Sequence, residues 1–284
     1  MPETLIALVG TPGSGKTEYL RSLEYTLMQQ VSLRRVLFNR EMGNARRNYS
    51  KEVRPTAAGF QYPPQVYYLN IAGDTGQESK GTARKKCLLV CFDPSGTDWQ
   101  QIPRSSLRFL PHCAGLVVLC DPLTNPKILQ LLLDQLAPSH FLYPKLKAQL
   151  EAIHGQPNPL KAILDEIIAF LNAMRKAIPI ALVVSKSDLI RHPLVFPRDS
   201  LVHIDHHNPF EIDDLISDTV AEYMNRFEPG IHGLLQNWRT NEHWIGYFAT
   251  SALGQAYSEG EIEYRRPIRI LDPYFWILQR LGLL

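Results

Sequence analysis

The residues best suited to chemistry are Gly10-Thr11-Pro12-Gly13-Ser14-Gly15-Lys16-Thr17, which fit the pattern G-x-x-x-x-G-K-[ST]. An apolar run from Thr4 to Val9 precedes them and reads as a buried strand. Glu18 to Gln30, with Leu20, Leu23, Tyr25 and Leu27, reads as a helix. A strand, a glycine-rich turn and a helix start wrap backbone N–H groups around an anion at the positive end of a helix. Lys16 is expected to reach the β- and γ-phosphates of a nucleotide, and the Thr17 hydroxyl to ligate Mg²⁺. A chance Gly-rich turn is the competing reading; strand, motif and helix standing in register argue against it.

Three further stretches stand at the ends of apolar runs. Asp93 follows Cys87 to Phe92, where a second carboxylate can hold Mg²⁺ through water. Gly96 comes three residues later, so Asp-Pro-Ser-Gly fits D-x-x-G. A glycine there brings its N–H close to a γ-phosphate because no Cβ intervenes. The same four residues are also ordinary turn formers. Ser185-Lys186-Ser187-Asp188 follows Ile178 to Val184. A carboxylate accepts both donors of the guanine edge, N1–H and the exocyclic amine, and cannot do so for adenine. The aliphatic stem of Lys186 can pack on a base face. A solvated charged turn is the plainer alternative. Ser251-Ala252-Leu253 follows Ile245 to Thr250, and a backbone N–H there can reach the guanine carbonyl oxygen.

The elements that must position these residues alternate. Strands are expected at 4–9, 65–71, 87–92, 114–120, 178–184 and 245–250, and helices at 18–30, 105–110, 126–136, 144–153, 159–177, 211–238 and 268–281. Pro229-Gly230 should break the long helix over 211–238. This predicts an α/β, three-layer P-loop NTPase fold. Its sheet would be mainly parallel and six-stranded, with one antiparallel strand from the 65–71/87–92 hairpin. The chain reads as one domain over 1–284, with a helical elaboration at 125–177 and a closing helix at 268–284. Residues 31–64 read as a polar, irregular loop rich in arginine.

Composition is that of an ordinary globular chain: 284 residues, 45% apolar, 20% charged, net charge +2. That charge favours neither nucleic acid nor a membrane surface, and no run is long enough to span a bilayer. With an apolar strand beginning almost at the N-terminus, no signal peptide is expected. Cys87, Cys91 and Cys120 lie in apolar runs and, with Cys113, read as reduced core thiols of a cytoplasmic protein. His203-Ile204-Asp205-His206-His207 lacks matching distant ligands for a metal. Tyr274-Phe275-Trp276 reads as core packing of the last helix rather than a docking surface.

GTPGSGKT, DPSG, SKSD and SALG, in that order, resemble the motif set of the Ras-like and translation-factor class of P-loop GTPases. The helical stretch before SKSD, the strand end FATSALG and the closing segment Pro267 to Leu278 are similar to the double-GTPase family of bacterial proteins. The resemblance implies GTP/GDP and Mg²⁺ as ligands, and a switch that hydrolyses GTP slowly. It also implies a stimulating protein partner, such as a GTPase-activating protein, and a role in bacterial conflict or defence. Partners are expected at loops 34–64 and 94–104, which adjoin the γ-phosphate. Lys16, Gly96, Thr97 and Arg54 become the catalytic candidates, the last as an arginine finger in cis. Thr56 joins Thr17 and Asp93 as a metal-ligand candidate. A plain loop threonine and one more loop arginine are the simpler readings of Thr56 and Arg54.

The departures matter. Ser185 stands where such GTPases usually carry Asn or Thr. Thr97 stands where Ras-like enzymes carry the glutamine that orients water, and it is shorter. Pro12 replaces a common glycine and should crowd an arginine arriving from a partner. Two other functions therefore stay open: a P-loop ATPase or phosphotransferase, and a nucleotide-binding scaffold without turnover.

Overall fold

Among the described residues seven strands make one sheet: β1 (Thr4–Gly10), β2 (Val36–Asn39), β3 (Val66–Ile71), β4 (Lys85–Cys91), β5 (Cys113–Cys120), β6 (Ile180–Val184) and β7 (Ile245–Ala249). This computed structural model describes residues 4–29, 36–39, 66–71, 85–91, 107, 109–156, 158–190, 195–196, 214–238, 244–254 and 267–283. The strand order is β2-β3-β4-β1-β5-β6-β7. β4, β1, β5, β6 and β7 run parallel. β3 pairs antiparallel with both β2 and β4. The sheet is thus larger than the six strands expected. The extra strand, β2, lies inside the stretch read as an irregular loop. Its four residues, Val36-Leu37-Phe38-Asn39, are too short a run to stand out among arginines.

Side chains are described for four adjacent parallel strands, and they alternate between two cores. Leu5, Ala7 and Val9 of β1, Leu116, Val118 and Cys120 of β5, and Leu182 and Val184 of β6 face one side. Ile6, Leu8, Val117, Leu119, Ala181 and Val183 face the other. Both faces are covered, so the strands read as continuous apolar runs rather than half-polar ones.

Helices close each side. The first face takes α4 (Pro159–Ala173), α5 (Asp214–Phe227) and α6 (Pro229–Trp238). α4 buries Leu160, Ile163, Leu164, Ile167, Ile168 and Leu171, a single apolar stripe. The second face takes α1 (Lys16–Gln29) and α7 (Asp272–Arg280). Between β5 and α4 lie α2 (Pro126–Gln135) and α3 (Tyr143–Ile153). α2 turns Ile128 to the main core, while Leu129 and Leu133 pack with Leu146 of α3 in a small cluster of their own. Leu189, next to Asp188, joins that cluster.

Two helix starts repeat one device. Asn125 caps α2 by accepting from the Lys127 and Ile128 amides, and Asn158 caps α4 by accepting from Leu160. Each is followed by a proline, whose missing N–H is no loss in a first turn. The long helix expected at 211–238 is two, since α5 ends at Phe227 and α6 begins at Pro229. The closing helix begins later than 268, at Asp272. Ile268 instead forms an antiparallel bridge with Ser251, and Arg269 adopts φ 50°. Of the short helix expected at 105–110 only Leu107, Phe109 and Leu110 are described: Leu107 is in 3-10 conformation, and a 3-10 turn follows at Leu110–His112. Tyr274, Phe275 and Trp276 are buried, as core packing requires. Cys113 and Cys120 are free, buried thiols; burial pushes Cys113 up to about 12 and Cys120 well above the usual thiol range.

α7 approaches the sheet closely because β5 carries Gly115. A Cβ at Gly115 would stand 2.6 Å from Cγ2 of Ile277, a buried and stiff β-branched side chain. Gly115→Ala is therefore expected to lower stability by about 1–3 kcal/mol with an unchanged denaturant slope, measured by equilibrium urea unfolding.

Candidate functional site

Parallel pairing sets the ends of the strands level. Gly10 pairs with Leu119, Leu119 with Val183, and Val183 with Phe248. Three motif-bearing loops therefore leave the sheet from one edge: 10–17 after β1, 185–188 after β6 and 250–254 after β7. This is the carboxyl edge at which open α/β sheets bind ligands. Backbone hydrogen bonds join the second and third of these loops to each other and to the end of β5. The Ser185 amide donates to Cys120 O (2.9 Å), Thr250 to Val184 O (2.9 Å) and Ser187 to Thr250 O (3.1 Å).

The glycine-rich loop has the conformation its sequence predicts. Gly13 and Gly15 take φ 76° and 90°, a region costly for any residue with a Cβ. Open space surrounds both, with nothing within 4 Å of an added Cβ. Gly10 is glycine for another reason: a Cβ there would meet Ser14 Oγ at 2.6 Å and Leu119 O at 2.9 Å. Lys16 Nζ donates to Gly10 O at 2.9 Å and Thr11 O at 2.8 Å, so it turns back along the loop. Pro12 and Gly13 form the exposed tip, and Thr17 is exposed at the start of α1. Thr11 Oγ1 and Ser14 Oγ are buried without a hydrogen-bond partner among the described residues. Such atoms cost free energy unless a ligand or water satisfies them.

The two other loops are tied down on each side. Ser185 is buried, and its hydroxyl donates to Cys120 O at 3.3 Å, so its side chain serves the turn. Lys186 has φ 53° and forms an ion pair with Asp121, Nζ to Oδ2 2.6 Å. Ser187 Oγ is buried and has no partner among the described residues, while Asp188 is half-exposed. Ser251 Oγ accepts from the Gly254 amide at 2.8 Å. Ser22 Oγ, on the inner face of α1, donates to Ala252 O at 2.7 Å. One helix thus anchors both the phosphate-type loop and the Ser251-Ala252-Leu253 loop. Arg269 and Asp272 form a buried ion pair at 2.7 Å where α7 begins, beside the Ser251–Ile268 bridge.

Gly10 to Thr17, Lys186, Asp188 and Ser251 to Leu253 are therefore brought to one edge. Arg54, Thr56, Asp93, Gly96 and Thr97, together with loops 34–64 and 94–104, lie outside the described residues apart from β2. So does His203 to His207. Among the described residues no cluster of three or more His, Cys, Asp or Glu could hold a metal ion. Two contributors went unread in the sequence, Asp121 and Ser22. Asp121 follows an apolar strand just as Asp93 does, and that parallel was the available signal. Ser22 looks like any helical serine; only its buried position reveals it.

Beneath Asp121 lies a buried polar group. Glu228, between α5 and α6, accepts from Asn125 Nδ2 at 3.0 Å and Asn158 Nδ2 at 2.7 Å. The two helix-capping asparagines thus share one carboxylate. Burial raises the Glu228 carboxyl above its usual 4.5, and the two amide bonds only partly oppose this. The nearby Tyr223 hydroxyl is buried without a partner among the described residues, and burial raises it further.

No protein-family model and no curated protein matches this chain. Among solved structures it is similar to the signal recognition particle receptor SRb-GTP/SRX complex from Chaetomium thermophilum, at 14% identity and TM-score 0.38, covering 94% of this chain and 97% of that one. It is similar to a mutation variant of SsGBP at 13% identity and TM-score 0.36, covering 99% of this chain. It is also similar to the GTPase-like domain of S. cerevisiae Ski7 bound to GDP and inorganic phosphate, at 14% identity and TM-score 0.39, again covering 99% of this chain. The chain spans 58% of the second protein and 51% of the third.

The Glu228 carboxyl gives a pH test. Its folded pKa is raised, so the folded chain keeps a proton that the unfolded chain has released. Stability contributed by this group is then lost as pH rises from about 4.5 through the folded pKa. Glu228→Gln removes that dependence. Urea unfolding at pH 4.5 and pH 7.5 is expected to show the variant gaining on the wild type at the higher pH.

Proposed function

We propose that this chain is a guanine-nucleotide-binding switch of the P-loop class that hydrolyses GTP slowly, with turnover raised by a protein partner. The observation that carries the reading is the shared sheet edge. There a G-x-x-x-x-G-K-T loop, a half-exposed carboxylate at Asp188 and the Ser251-Ala252-Leu253 turn stand together, the last two joined by backbone hydrogen bonds and the first tied to the third through Ser22 of α1. The unpartnered Thr11, Ser14 and Ser187 hydroxyls fit a polar ligand, and the space around Gly13 and Gly15 fits phosphate.

In this reading the loop amides and Lys16 hold phosphate, with Lys16 exchanging its two carbonyl partners for phosphate oxygens. Asp188 accepts from the guanine edge, and a backbone amide in 251–253 donates to the guanine carbonyl. Thr17 and Asp93 hold Mg²⁺, with Thr56 as the further candidate. The metal, when bound, neutralises charge on the phosphates. Gly96 senses the γ-phosphate. Partners meet loops 34–64 and 94–104. Membership of the double-GTPase family, and with it a cytoplasmic role in bacterial conflict or defence, is part of the same proposal. It rests on FATSALG and the closing segment. Among the described residues no helix is long and apolar enough to cross a membrane.

Competition binding tests the central claim. GTP is expected to displace labelled GDP better than ATP by about 100-fold or more, because a carboxylate that accepts from both guanine donors is left unmatched by adenine. Equal displacement by ATP would assign the site to an adenine-nucleotide enzyme. Turnover tests the rest. With Thr97 in place of glutamine, the purified chain is expected to hydrolyse GTP very slowly and to speed up with cell extract. No turnover in either case marks a non-hydrolysing scaffold. Arg54→Ala then separates two sources of positive charge: a fall of tenfold or more, about 1.4 kcal/mol, marks a finger in cis, and no change marks the partner.

A further inference from the structure

Asp121 sits where β5 ends, one residue past the buried thiol of Cys120. Its two carboxylate oxygens have separate tasks. Oδ1 accepts from the Leu123 amide at 3.0 Å, which fixes the carboxylate to its own turn. Oδ2 takes Lys186 Nζ at 2.6 Å, across the gap between the ends of β5 and β6. Thr124 adds a further clamp, its hydroxyl donating to Asp121 O at 2.7 Å. The Asp121 side chain is 5% exposed and the Lys186 side chain 30% exposed. One end of the pair is therefore held inside the fold, and the other reaches the sheet edge where the candidate site lies.

Lys186 is held at its backbone as well. The amides on either side of it, Ser185 and Ser187, donate to Cys120 O and Thr250 O. Between these points its own φ is 53°. A lysine stem has four rotatable bonds and about 2 kcal/mol of rotamer entropy, so an untethered one covers a flat ligand only part of the time. Here backbone and ammonium are both fixed, and the stem between them has little freedom left. A stem held this way presents a preorganised apolar face.

We propose that Asp121 is a positioning residue for the base of the bound nucleotide: it holds Lys186 so that the aliphatic stem lies along one face of the ring. The inference rests on the guanine-nucleotide reading above. It assigns Asp121 no contact with the ligand. The pair would act on the face of the base and Asp188 on its edge, so the two carboxylates have distinct signatures.

The test compares three ligands: GDP, inosine diphosphate, which lacks the exocyclic amine, and inorganic pyrophosphate, which lacks the base. Asp121→Asn keeps an acceptor for Leu123 and removes the ion pair. It is expected to weaken GDP and inosine diphosphate by the same factor, about tenfold, and to leave pyrophosphate affinity unchanged. Lys186→Ala is expected to do the same, and the double variant to lose no more than Lys186→Ala alone. Asp188→Asn, by contrast, should change the ratio of GDP to inosine diphosphate affinity. Unchanged GDP affinity in Asp121→Asn, an equal loss for pyrophosphate, or losses that add in the double variant would each overturn the proposal. If Asp121→Asn does not fold, Lys186→Met breaks the same pair from its exposed end. It must then show the equal loss for both base-bearing ligands, and wild-type affinity in it overturns the proposal. Failure of the guanine reading looks different: the wild-type chain itself would not prefer GDP to ADP.

Discussion

Parallel register is the constraint on which the rest depends. When β1, β5, β6 and β7 pair in the same direction and in step, their carboxyl ends form a row, and every loop that leaves a strand leaves on the same side. Parallel pairs require long crossovers, and each crossover here carries helix to cover a face of the sheet. The sheet buries both faces, so sliding one strand by a residue would exchange its two sets of apolar side chains between the cores. Register at the site is therefore held by hydrophobic burial far from it.

Backbone hydrogen bonds bring the loops after β6 and β7 together, but they leave side-chain direction open. That second task falls to a few polar side chains in buried or half-buried places. Ser22 links α1 to the Ala252 carbonyl, and Lys16 closes on two carbonyls of its own loop. Asp121 directs Lys186 and is fixed by the turn that leads, through Asn125, to Glu228. The caps of α2 and α4 meet on that one carboxylate. The helical elaboration is thus coupled to the sheet edge through the short 3-10 turn Pro122–Thr124, which joins Asp121 to Asn125. It also touches the edge by apolar contact, since Leu189 packs with α2 and α3. A change in how α2 and α3 pack would reach the residue beside Asp188 directly.

Much of this was legible from residue types. Glycine at three loop positions, a lysine and a threonine named the phosphate-type loop. Both-face burial makes strands β1, β5, β6 and β7 plain apolar runs, and α4 announces itself by its stripe. The expected strand 178–184 and helix 268–281 begin later in the structure because Pro179 and Pro273 stand at their starts. β2 was not legible, because a four-residue strand gains its stability from pairing with β3 and not from its own pattern. Asp121 was not legible as a partner of Lys186, because that contact spans 65 residues and depends on which strands are neighbours. Sequence shows that a charged residue ends a strand; only the strand order β1-β5-β6 shows which lysine it meets.

The strained residues follow the same logic. A non-glycine residue at positive φ costs about 1–2 kcal/mol, so it persists only where its surroundings over-determine it. Three are present among the described residues: Arg175, Lys186 and Arg269. Arg175 lies at the end of α4, where the Lys176 amide donates to Leu171 O, a common way to stop a helix. The other two have no such excuse in local structure, and each is instead held by an ion pair, with Asp121 and Asp272. Lys186 is in the candidate base-binding loop, and Arg269 adjoins the residue bridged to Ser251. A glycine at either place would relieve the strain and lose the charge. The chain keeps a long cationic side chain at both, which is intelligible for Lys186 if its stem has a ligand to face. For Arg269, 7% exposed, the pair instead fixes where α7 begins, and through α7 the side of the sheet against which α1 packs.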